Sequence, residues 1–249
     1  MNYNPFSLQN KVILITGASS GIGRATAVEC AKMGATVIIT GRNEWRLSET
    51  LSSLTGEGHR SICLDLTNIQ ERAAFIGNLP TIDGLVNSAG IQRTVLFRQI
   101  KQNQLDSVFD VNFFVPVQLS QELLNQKKFA KEASIVMVSS IDGPVTAHVG
   151  NSMYAASKGA ITAMAKSMAV DLASRRIRVN CVLPGMTMTP MIDIDEITQE
   201  QMADDKLKYP LKRFGKSDEI AHAIIYFLSD ASSWTTGSNL VVDGGFSLL

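Results

Sequence analysis

The sequence of 249 residues predicts an α/β fold in which helices cover both faces of a doubly wound parallel sheet. Short apolar runs rich in β-branched residues alternate with longer segments that have helical periodicity. The first apolar run, Val12 to Thr16, leads directly into a glycine-rich segment. No linker, repeat or low-complexity segment interrupts this alternation, so residues 1–249 are predicted to form a single domain.

The charge balance argues against several classes of partner. With 23 basic and 23 acidic side chains, the protein has no overall field that would attract nucleic acid or an anionic membrane. The N-terminus lacks a signal-peptide pattern and no apolar run approaches ~18 residues, which predicts a cytoplasmic protein. Cys30, Cys63 and Cys181 are predicted to be buried free thiols. No metal-ligand spacing joins them to a histidine, so no metal site is predicted.

The segment from Lys11 to Arg24, KVILITGASSGIGR, predicts a strand, a tight turn and the start of a helix. Gly17, Gly21 and Gly23 allow a positive φ, a close approach to a ligand and close packing of the helix on the sheet. The N–H groups at a helix N-terminus attract an anion, and a diphosphate is the expected one. A tight turn without a ligand is the alternative. The segment is typical of a Rossmann-like nucleotide site.

The second strand ends at the residues that select the nucleotide. A helix from Ala25 to Met33 is predicted to stop at Gly34, and Thr36 to Thr40 forms the strand. In this fold an acidic residue at that point accepts a hydrogen bond from the ribose 2′-OH, whereas a basic one suits a 2′-phosphate. Here Gly41 is followed by Arg42, which favours NADP(H). The alternative is that Arg42 is a solvated surface charge.

The next elements continue the alternation. They are a helix at Glu44 to Leu54, a third strand at Arg60 to Leu64 with Asp65 and Leu66 at its exit, a helix at Asn68 to Ile76 and a fourth strand at Gly84 to Val86. The fourth strand runs into NSAG, Asn87 to Gly90. Right-handed crossovers between such strands produce a doubly wound sheet.

A serine, a tyrosine and a lysine follow the fifth strand, which is predicted at Ser134 to Ser140. Tyr154 lies fourteen residues after Ser140, and Lys158 lies four residues further on one helix face. A free phenol has a pKa of about 10, and an adjacent ammonium favours the phenolate; a shift of roughly three units corresponds to about 4 kcal/mol. Tyr154 is therefore predicted to exchange a proton with an alcohol or carbonyl, while Ser140 polarises the substrate oxygen. An exposed helix pair is the alternative.

Together these motifs resemble those of the short-chain dehydrogenase/reductase family over essentially the whole chain, including DVNFF, Pro184-Gly185 and VVDGG. The resemblance implies a catalytic group of Asn112, Ser140, Tyr154 and Lys158. It also implies that NADP(H) contacts Gly17, Ser19, Ser20, Gly21, Ile22, Gly23, Arg42, Asp65, Leu66, Asn87, Ala89, Gly90, Tyr154, Lys158, Pro184, Gly185 and Thr187.

Two departures from the family pattern concern the site. Ser88 stands where the family usually has a second asparagine, but it keeps a small hydrogen-bonding side chain. The interval between Ser140 and Tyr154 appears one residue longer than in many members, which affects the loop Ile141 to Met153. Ser139 is the alternative to Ser140 if the strand register is shifted.

Pro116 lies four residues after Asn112 in a helical stretch. An interior proline removes one donor and pushes away the carbonyl four residues earlier, which here belongs to Asn112. That carbonyl would be free to hold a water that links Lys158 to solvent. The equal alternative is a helix that begins near Pro116.

The region from Gly185 to Leu211 is predicted to form a substrate lid after the sixth strand. Its methionines, Met186, Met188 and Met191, suit an apolar chain of variable shape. Within the family, the segment PLKRFG and the DGG ending are similar to those of reductases that act on 3-oxoacyl groups carried by acyl-carrier protein. The resemblance therefore implies NADPH-dependent reduction of a 3-oxoacyl thioester to a secondary alcohol.

Basic side chains and a small-residue helix face suggest partners. Lys127, Lys128, Lys131, Arg175 and Arg176 are candidates to receive an acidic carrier protein, or are ordinary solvated helix ends. One face of the helix near Ser152 carries Ala156, Ala160, Ala163 and Ser167, which suits either a symmetric partner or packing within the chain. Family resemblance favours a homotetramer.

Two other functions are compatible with the motifs. One is an NADP-dependent reductase or dehydrogenase of a small sugar, polyol or steroid-like alcohol. The other is a non-catalytic NADP-binding scaffold, which the presence of both Tyr154 and Lys158 disfavours. His148 is expected to be a pocket-wall residue, since those two side chains supply the proton chemistry.

Overall fold

The computed structural model describes residues 3–190 and 199–249. Its strands are β1 (Val12–Thr16), β2 (Thr36–Gly41), β3 (Arg60–Cys63), β4 (Ile82–Asn87), β5 (Phe129–Val138), β6 (Arg178–Pro184) and β7 (Asn239–Val242). In the described chain they form one seven-stranded parallel sheet in the order β3-β2-β1-β4-β5-β6-β7. The predicted doubly wound α/β fold is confirmed.

Helices cover both faces of the sheet. They are α1 (Gly21–Lys32), α2 (Glu44–Ser52), α3 (Ile69–Gly77), α4 (Gln102–Phe109), α5 (Val115–Asn125), α6 (Ser152–Asp171), α7 (Gln199–Leu207) and α8 (Ser217–Leu228). Side chains alternate across the strands, so Leu14 packs in the core that holds α3, α5 and α6. Ile13 and Ile15 pack in the opposite core with α1, α2 and α8. Both cores consist of closely packed, buried apolar side chains, so helices are held against each face of the sheet.

Strands β1 and β4 are neighbours, and the strand order reverses between them. From β1 the chain continues to β2 and β3 on one side of the sheet, whereas from β4 it continues to β5, β6 and β7 on the other. In such a sheet, the loops on either side of the reversal diverge and leave a crevice at the carboxyl ends of the strands. The glycine-rich turn after β1 and the NSAG turn after β4 meet there.

Some boundaries differ from those predicted. Helix α1 begins at Gly21 instead of Ala25, because Ser20 is already extended and the glycines belong to the first turn. Strand β5 begins at Phe129 instead of Ser134, since Ile82 of β4 pairs with Phe129 across a local irregularity of register. The predictions of these two starts were wrong by several residues.

The prediction that all three cysteines are buried is wrong for Cys63. Cys30 and Cys181 are buried, whereas Cys63 is exposed. Strand β3 lies at the edge of the sheet and Cys63 is its last residue, so only one neighbouring strand flanks it. Edge position, which the local sequence does not encode, explains the exposure.

Asn112 lies in a π-helical turn, Asp110–Phe114, inserted between α4 and α5. The N–H of Val115 donates to the carbonyl of Asp110, which is the wide spacing of a π turn. Pro116 lies in the first turn of α5. The structure thus combines both predicted alternatives, because the chain is helical before Pro116 and an α-helix also begins beside it. The proposed water on the Asn112 carbonyl stays a prediction.

The predicted lid is described in part. Residues Gly185 to Pro190 leave β6 over the site, where Thr189 lies above Gly21: a Cβ on that glycine would meet Thr189 at 3.3 Å. Met191 lies outside the described residues. In the described ranges, no helix is both long and apolar enough to cross a membrane.

Candidate active site

A cleft of about 940 Å³ runs along the carboxyl ends of the strands. One end lies beside the glycine-rich turn and Arg42, and the other reaches Ser140, Tyr154 and the start of the lid. The cleft lining includes every predicted site residue except Asn87 and Asn112. One continuous cleft therefore joins the predicted nucleotide site to the predicted catalytic side chains.

The glycine-rich turn forms a backbone cradle. Gly17 has a φ of +68°, and a Cβ there would lie 2.7 Å from the Cα of Ala89. A Cβ on Gly23 would overlap the carbonyl of Gly17. The Oγ1 atom of Thr16 accepts hydrogen bonds from the N–H groups of Ser88 and Ala89, at 3.1 and 3.2 Å. These contacts hold the turns after β1 and β4 together, and only glycine fits between them.

Arg42 and Asp65 line the far end of the cleft. Arg42 is exposed and directly follows Gly41, the last residue of β2. Burial raises the pKa of the Asp65 carboxyl, but hydrogen bonds from Thr67 and the charge of Arg42 outweigh it, so the pKa lies below its usual value. The Asp65 carboxylate already accepts from the N–H and the hydroxyl of Thr67, and the exposed Arg42 guanidinium is a charged donor for an anion at this end.

Arg72 fixes the loop that carries Asp65 and Leu66, a role that the sequence analysis missed. Its side chain is only 2 % exposed. The Nη1 atom donates to the carbonyl of Leu66 at 2.6 Å, and Nη2 lies 2.8 Å from Oε1 of Glu122. A buried guanidinium needs such partners, so removal of either one would leave an uncompensated charge. A lone arginine in the helix predicted at Asn68 to Ile76 gave no signal of this role.

Tyr154 and Ser140 meet at the catalytic end of the cleft. Burial raises the pKa of the Tyr154 phenol to about 12, a hydrogen bond with the Ser140 side chain opposes the rise, and the Asp142 carboxylate adds to it. The sequence analysis predicted a lowered pKa for Tyr154, and this prediction is wrong for the protein chain without a bound nucleotide. The difference arises because the loss of water around the phenol outweighs its neighbours.

Lys158 lies on the next turn of α6, beneath Tyr154. Its Nζ atom is 5.6 Å from the centre of the Tyr154 ring and donates to the carbonyl of Val138 at 2.7 Å. Burial lowers the Lys158 pKa to about 8, and the Cys181 thiol opposes the shift. The ammonium therefore remains protonated at neutral pH but is easily deprotonated above it.

The two serines at the exit of β5 have different roles. The Ser139 hydroxyl donates to the carbonyl of Lys158 at 2.9 Å and bonds to Thr162, so it ties the strand to α6. Ser140 is partly exposed to the cleft beside Tyr154. This geometry places Ser140, not Ser139, against a substrate.

Asn112 and Asn87 are buried next to the cleft and do not line it. Asn112 accepts from the N–H of Ile91 at 2.8 Å and donates to the Ile91 carbonyl and to Ser157. The Asn112 side chain therefore links the segment after the NSAG turn to α6 and does not line the cleft. Asn112, predicted to belong to the catalytic group, is a positioning residue in this structure. The buried Nδ2 of Asn87 contacts the sulfur of Met137, and its Oδ1 has no partner among the described residues.

The sequence analysis missed several residues of the cleft wall: Gln92, Asp142, Asn151 and Thr189. His148, expected at the pocket wall, does line the cleft. The signal available for the others was their position in the long loop before Tyr154 or directly after a strand exit. None of these four residues belongs to a sequence motif that indicates a binding partner.

Comparison with known proteins supplies the family. A family model described as "Enoyl-(Acyl carrier protein) reductase" matches residues 17–247. The 3-oxoacyl-[acyl-carrier-protein] reductase of Thermotoga maritima is 37% identical over 244 residues, which cover 96% of this chain and 98% of that protein. The chain belongs to the short-chain dehydrogenase/reductase family.

Other members of the short-chain dehydrogenase/reductase family that resemble the chain act on sugars. The L-xylulose reductase of Caenorhabditis elegans is 36% identical, with 97% of this chain and 98% of that protein covered. The D-erythrulose reductase of Gallus gallus is 35% identical, with 96% and 97% covered. Relatives by sequence thus include both acyl-thioester and sugar reductases.

Solved structures show the same architecture. The aldohexose dehydrogenase of Thermoplasma acidophilum superimposes with a TM-score of 0.86 at 28% identity, covering 97% of this chain and 96% of that one. A protein of Beutenbergia cavernae, described as an NAD(P)-dependent gluconate 5-dehydrogenase with bound NADP at low occupancy, gives a TM-score of 0.88 at 27% identity, covering 99% and 100%.

As a member of the short-chain dehydrogenase/reductase family, the chain is an oxidoreductase that uses a nicotinamide cofactor. The residues present fit such a dinucleotide. The turn after β1 and the N-terminus of α1 line one end of the cleft, and Gly17 and Gly23 allow that turn to pack closely against Ala89 and on itself. Arg42 stands at the same end of the cleft as this turn, and Ser140 and Tyr154 stand at the other.

Proposed function

We propose that the protein is an NADPH-dependent reductase that converts a carbonyl to a secondary alcohol. The observation that carries the proposal is the grouping of Tyr154, Ser140 and Lys158 in one cleft with the glycine cradle. A buried phenol with a pKa of about 12 is protonated at neutral pH, which is the form needed to donate a proton to a carbonyl oxygen.

The side chains divide the chemistry. A bound nicotinamide would supply or accept the hydride. Tyr154 Oη donates the proton to the carbonyl oxygen, and Ser140 Oγ donates a hydrogen bond that holds this oxygen and stabilises its developing negative charge. Lys158 places a positive charge beneath the phenol ring, so it stabilises the phenolate left after the transfer.

Two observations support NADP(H) as the nucleotide. Strand β2 ends in Gly41 and Arg42, so a ribose 2′-phosphate would meet a guanidinium and no carboxylate at this point. The Beutenbergia cavernae structure holds NADP in the same fold.

Replacement of Tyr154 by phenylalanine tests the reaction. The Tyr154→Phe variant removes the proton donor but keeps the ring, so we expect kcat to fall by roughly 10²–10⁴-fold while NADPH binding is unchanged. Tyr226→Phe is the matched control, because the Tyr226 hydroxyl bonds to Thr235 away from the cleft. Near-normal turnover by Tyr154→Phe would contradict the proposal.

A 3-oxoacyl thioester is one substrate candidate. It is supported by the similarity to the Thermotoga maritima reductase and by Met186, a partly exposed thioether in the cleft wall. Met188 is partly exposed but does not line the cleft. Flexible thioethers suit an acyl chain.

The basic side chains lie far from the same chain's cleft, and their role in docking a carrier protein stays a prediction. They precede or begin β5 and β6, whose carboxyl ends form the cleft, so they lie roughly 20–30 Å away along the strands. Lys128 already donates to the carbonyls of Gly77 and Leu79, and Arg176 pairs with Glu132. A carrier protein that docks there would need a second chain to present these residues to the cleft.

A small hydroxylated ketone is the second candidate. The sugar reductases among the relatives support it, as does the polar wall formed by Asp142, His148 and Asn151 beside Ser140. The discriminating measurement follows NADPH oxidation with acetoacetyl groups on acyl-carrier protein and on a small thiol, with ketosugars and with diketones. A gain in kcat/KM on the carrier protein favours the thioester, and a preference for ketosugars favours the hydroxylated ketone.

A further inference from the structure

A cluster of hydrogen bonds in the cleft wall is not used by the proton chemistry. Its centre is the carboxylate of Asp142, which is 5% exposed. Asp142 accepts from the hydroxyl of Thr146 at 3.2 Å, from Nδ2 of Asn151 at 2.9 Å and from Nδ1 of His148. Asn151 in turn accepts from Nε2 of Gln92 at 3.0 Å. The carboxylate thereby orders the whole loop that precedes Tyr154.

The cluster fixes both the position and the tautomer of His148. An ionised carboxylate only accepts, so the Nδ1 atom of His148 carries a proton. The ring also stacks on Phe246, with 5.8 Å between centroids and 25° between planes, and Phe246 packs on Tyr209 at 4.8 Å. Across the described residues, no hydrogen bond occupies Nε2. His148 is nevertheless only half exposed, because its side chain forms part of the cleft wall.

The cluster lies next to the reacting position. The N–H of Asp142 donates to Oγ of Ser140 at 3.1 Å, so the loop that carries His148 is anchored on the serine that meets the substrate oxygen. Asn151 directly precedes α6, which carries Tyr154. His148 and Ser140 line the same cleft, so a group bound by His148 would share that cleft with the substrate carbonyl.

The chemistry of the cluster selects a neutral, hydroxyl-bearing group. The free Nε2 accepts a hydrogen bond when the imidazole is neutral and donates one when it is charged, and a hydroxyl satisfies either form. A carboxylate would need the charged form and would face the negative charge of Asp142. An alkyl group would offer no hydrogen bond to Nε2.

We propose that His148, held by Asp142, determines specificity by binding a hydroxyl next to the substrate carbonyl, so that the substrate class is α-hydroxyketones. This inference rests on the proposed carbonyl reduction. Asp142 and Phe246 act through His148 as positioning residues.

The test compares two ketones that differ by one group. Hydroxyacetone and butanone have nearly the same shape, with a hydroxyl in one replaced by a methyl in the other. We expect kcat/KM with NADPH to be at least about 30-fold higher for hydroxyacetone, because a site built to bond a hydroxyl rejects the analogue that lacks it. His148→Leu should reduce this ratio to within a few-fold of one.

Two further variants separate recognition from loop structure. His148→Gln places an amide near the position of Nε2, so it should restore part of the preference. Thr146→Val removes another hydrogen bond to Asp142 without changing a cleft residue, so its ratio should match that of the wild type. A ratio unchanged in His148→Leu, or lost equally in Thr146→Val, would overturn the inference.

Binding without turnover distinguishes this inference from the proposed function. The chain has three histidines, so nitrogen-15 imidazole spectra are simple to assign with the His148→Leu variant. Hydroxyacetone should shift the Nε2 resonance of His148, and butanone should not. A shift without NADPH oxidation contradicts the proposed reaction but supports the hydroxyl site. Equal reduction of both ketones with no shift supports the reaction and overturns the site.

Discussion

At the residue scale, Tyr154 and Lys158 are neighbours whose pKa values both move toward the neutral form. Burial raises the pKa of Tyr154 to about 12 and lowers that of Lys158 to about 8. At neutral pH the phenol is uncharged in both the folded and the unfolded chain, so only the buried charge of Lys158 lowers the free energy of unfolding. The buried charge of Lys158 therefore predicts a free energy of unfolding that depends on pH.

We expect Lys158→Met to be more stable than the wild type at neutral pH. The folded pKa of Lys158, about 8, lies below the usual 10.5, so the cost of its charge is fully present below pH 8. The cost fades as pH rises from about 8 to 10.5, where the unfolded lysine also loses its proton. The shift corresponds to at most about 3 kcal/mol.

Urea denaturation at several pH values measures this difference. The advantage of Lys158→Met should be largest near pH 7 and should shrink steadily toward pH 10.5, with no activity retained. Lys166→Met is the control, because Lys166 lies exposed on the same helix and should give a small difference. A stability difference between Lys158→Met and the wild type that does not change with pH would rule out the buried charge as its cause.

Arg42 provides the second prediction at this scale. Arg42→Ala should weaken NADPH binding by roughly 10–100-fold, since a charge-assisted bond to the 2′-phosphate contributes about 1.5–3 kcal/mol. NADH binding should change by less than about 3-fold, because NADH has no such group. Fluorescence titration of both nucleotides measures the effect, with Arg46→Ala on the exposed face of α2 as the control. Equal affinities of the wild type for NADH and NADPH would contradict the assignment of NADP(H).

At the element scale, the π turn before α5 determines where Asn112 points. Proline cannot donate the hydrogen bond that an α-helix would give to the carbonyl of Asn112, and the chain widens into a π turn at this point. The widened turn directs the Asn112 side chain to Ile91 and Ser157. The NSAG turn and α6 are therefore held in register by one residue.

Pro116→Ala restores the missing donor, so we expect the π turn to contract toward an α-helix and the Asn112 clamp to loosen. Turnover should fall several-fold and its pH profile should shift, while NADPH binding stays within about 2-fold because the cradle at Gly17 is untouched. Steady-state kinetics from pH 6 to 9 measure both quantities. Pro80→Ala, which changes an exposed proline before β4, is the control. An unchanged rate and profile would mean that Pro116 only starts a helix.

At the scale of the whole molecule, one face of α6 is left uncovered. Ala156, Ala163 and Ser167 are exposed and Ala160 is partly exposed, so residues 3–190 and 199–249 do not cover this small-residue face. Val170, further along the same helix, is 76% exposed. Small side chains allow close approach of another helix, and a second copy of the chain is the occupant expected from the family.

We expect Ala163→Arg to reduce the mass of the assembly in solution. A long charged side chain on this face would separate two closely packed helices and bury its charge unpaired. Light scattering after size-exclusion chromatography should give the mass of four chains for the wild type and a smaller mass for the variant. Ala73→Arg, on the exposed face of α3, should leave the mass unchanged. A wild-type mass of one chain would contradict the tetramer.

The fold, and the cleft that the predicted nucleotide-contacting residues share, could be predicted from the sequence. Apolar β-branched runs alternate with helical segments, and every parallel strand delivers its exit to the same edge, so residues named at strand ends had to meet. For this reason Gly17, Arg42, Asp65 and Gly90 all line one cleft as predicted. The spacing of Tyr154 and Lys158 likewise placed both on one helical face, because the helix period is local.

The contacts of the polar side chains could not be predicted in this way, because they depend on how distant segments pack together. Ser139 and Ser140 are adjacent in sequence, yet packing of α6 on β5 turns one toward Thr162 and leaves the other in the cleft. The raised pKa of Tyr154 and the exposure of Cys63 depend on how much water each position retains. The pairing of His148 with Asp142 depends on how a loop closes. Local sequence sets periodicity and strand ends, whereas burial and side-chain partners are set by residues distant in sequence.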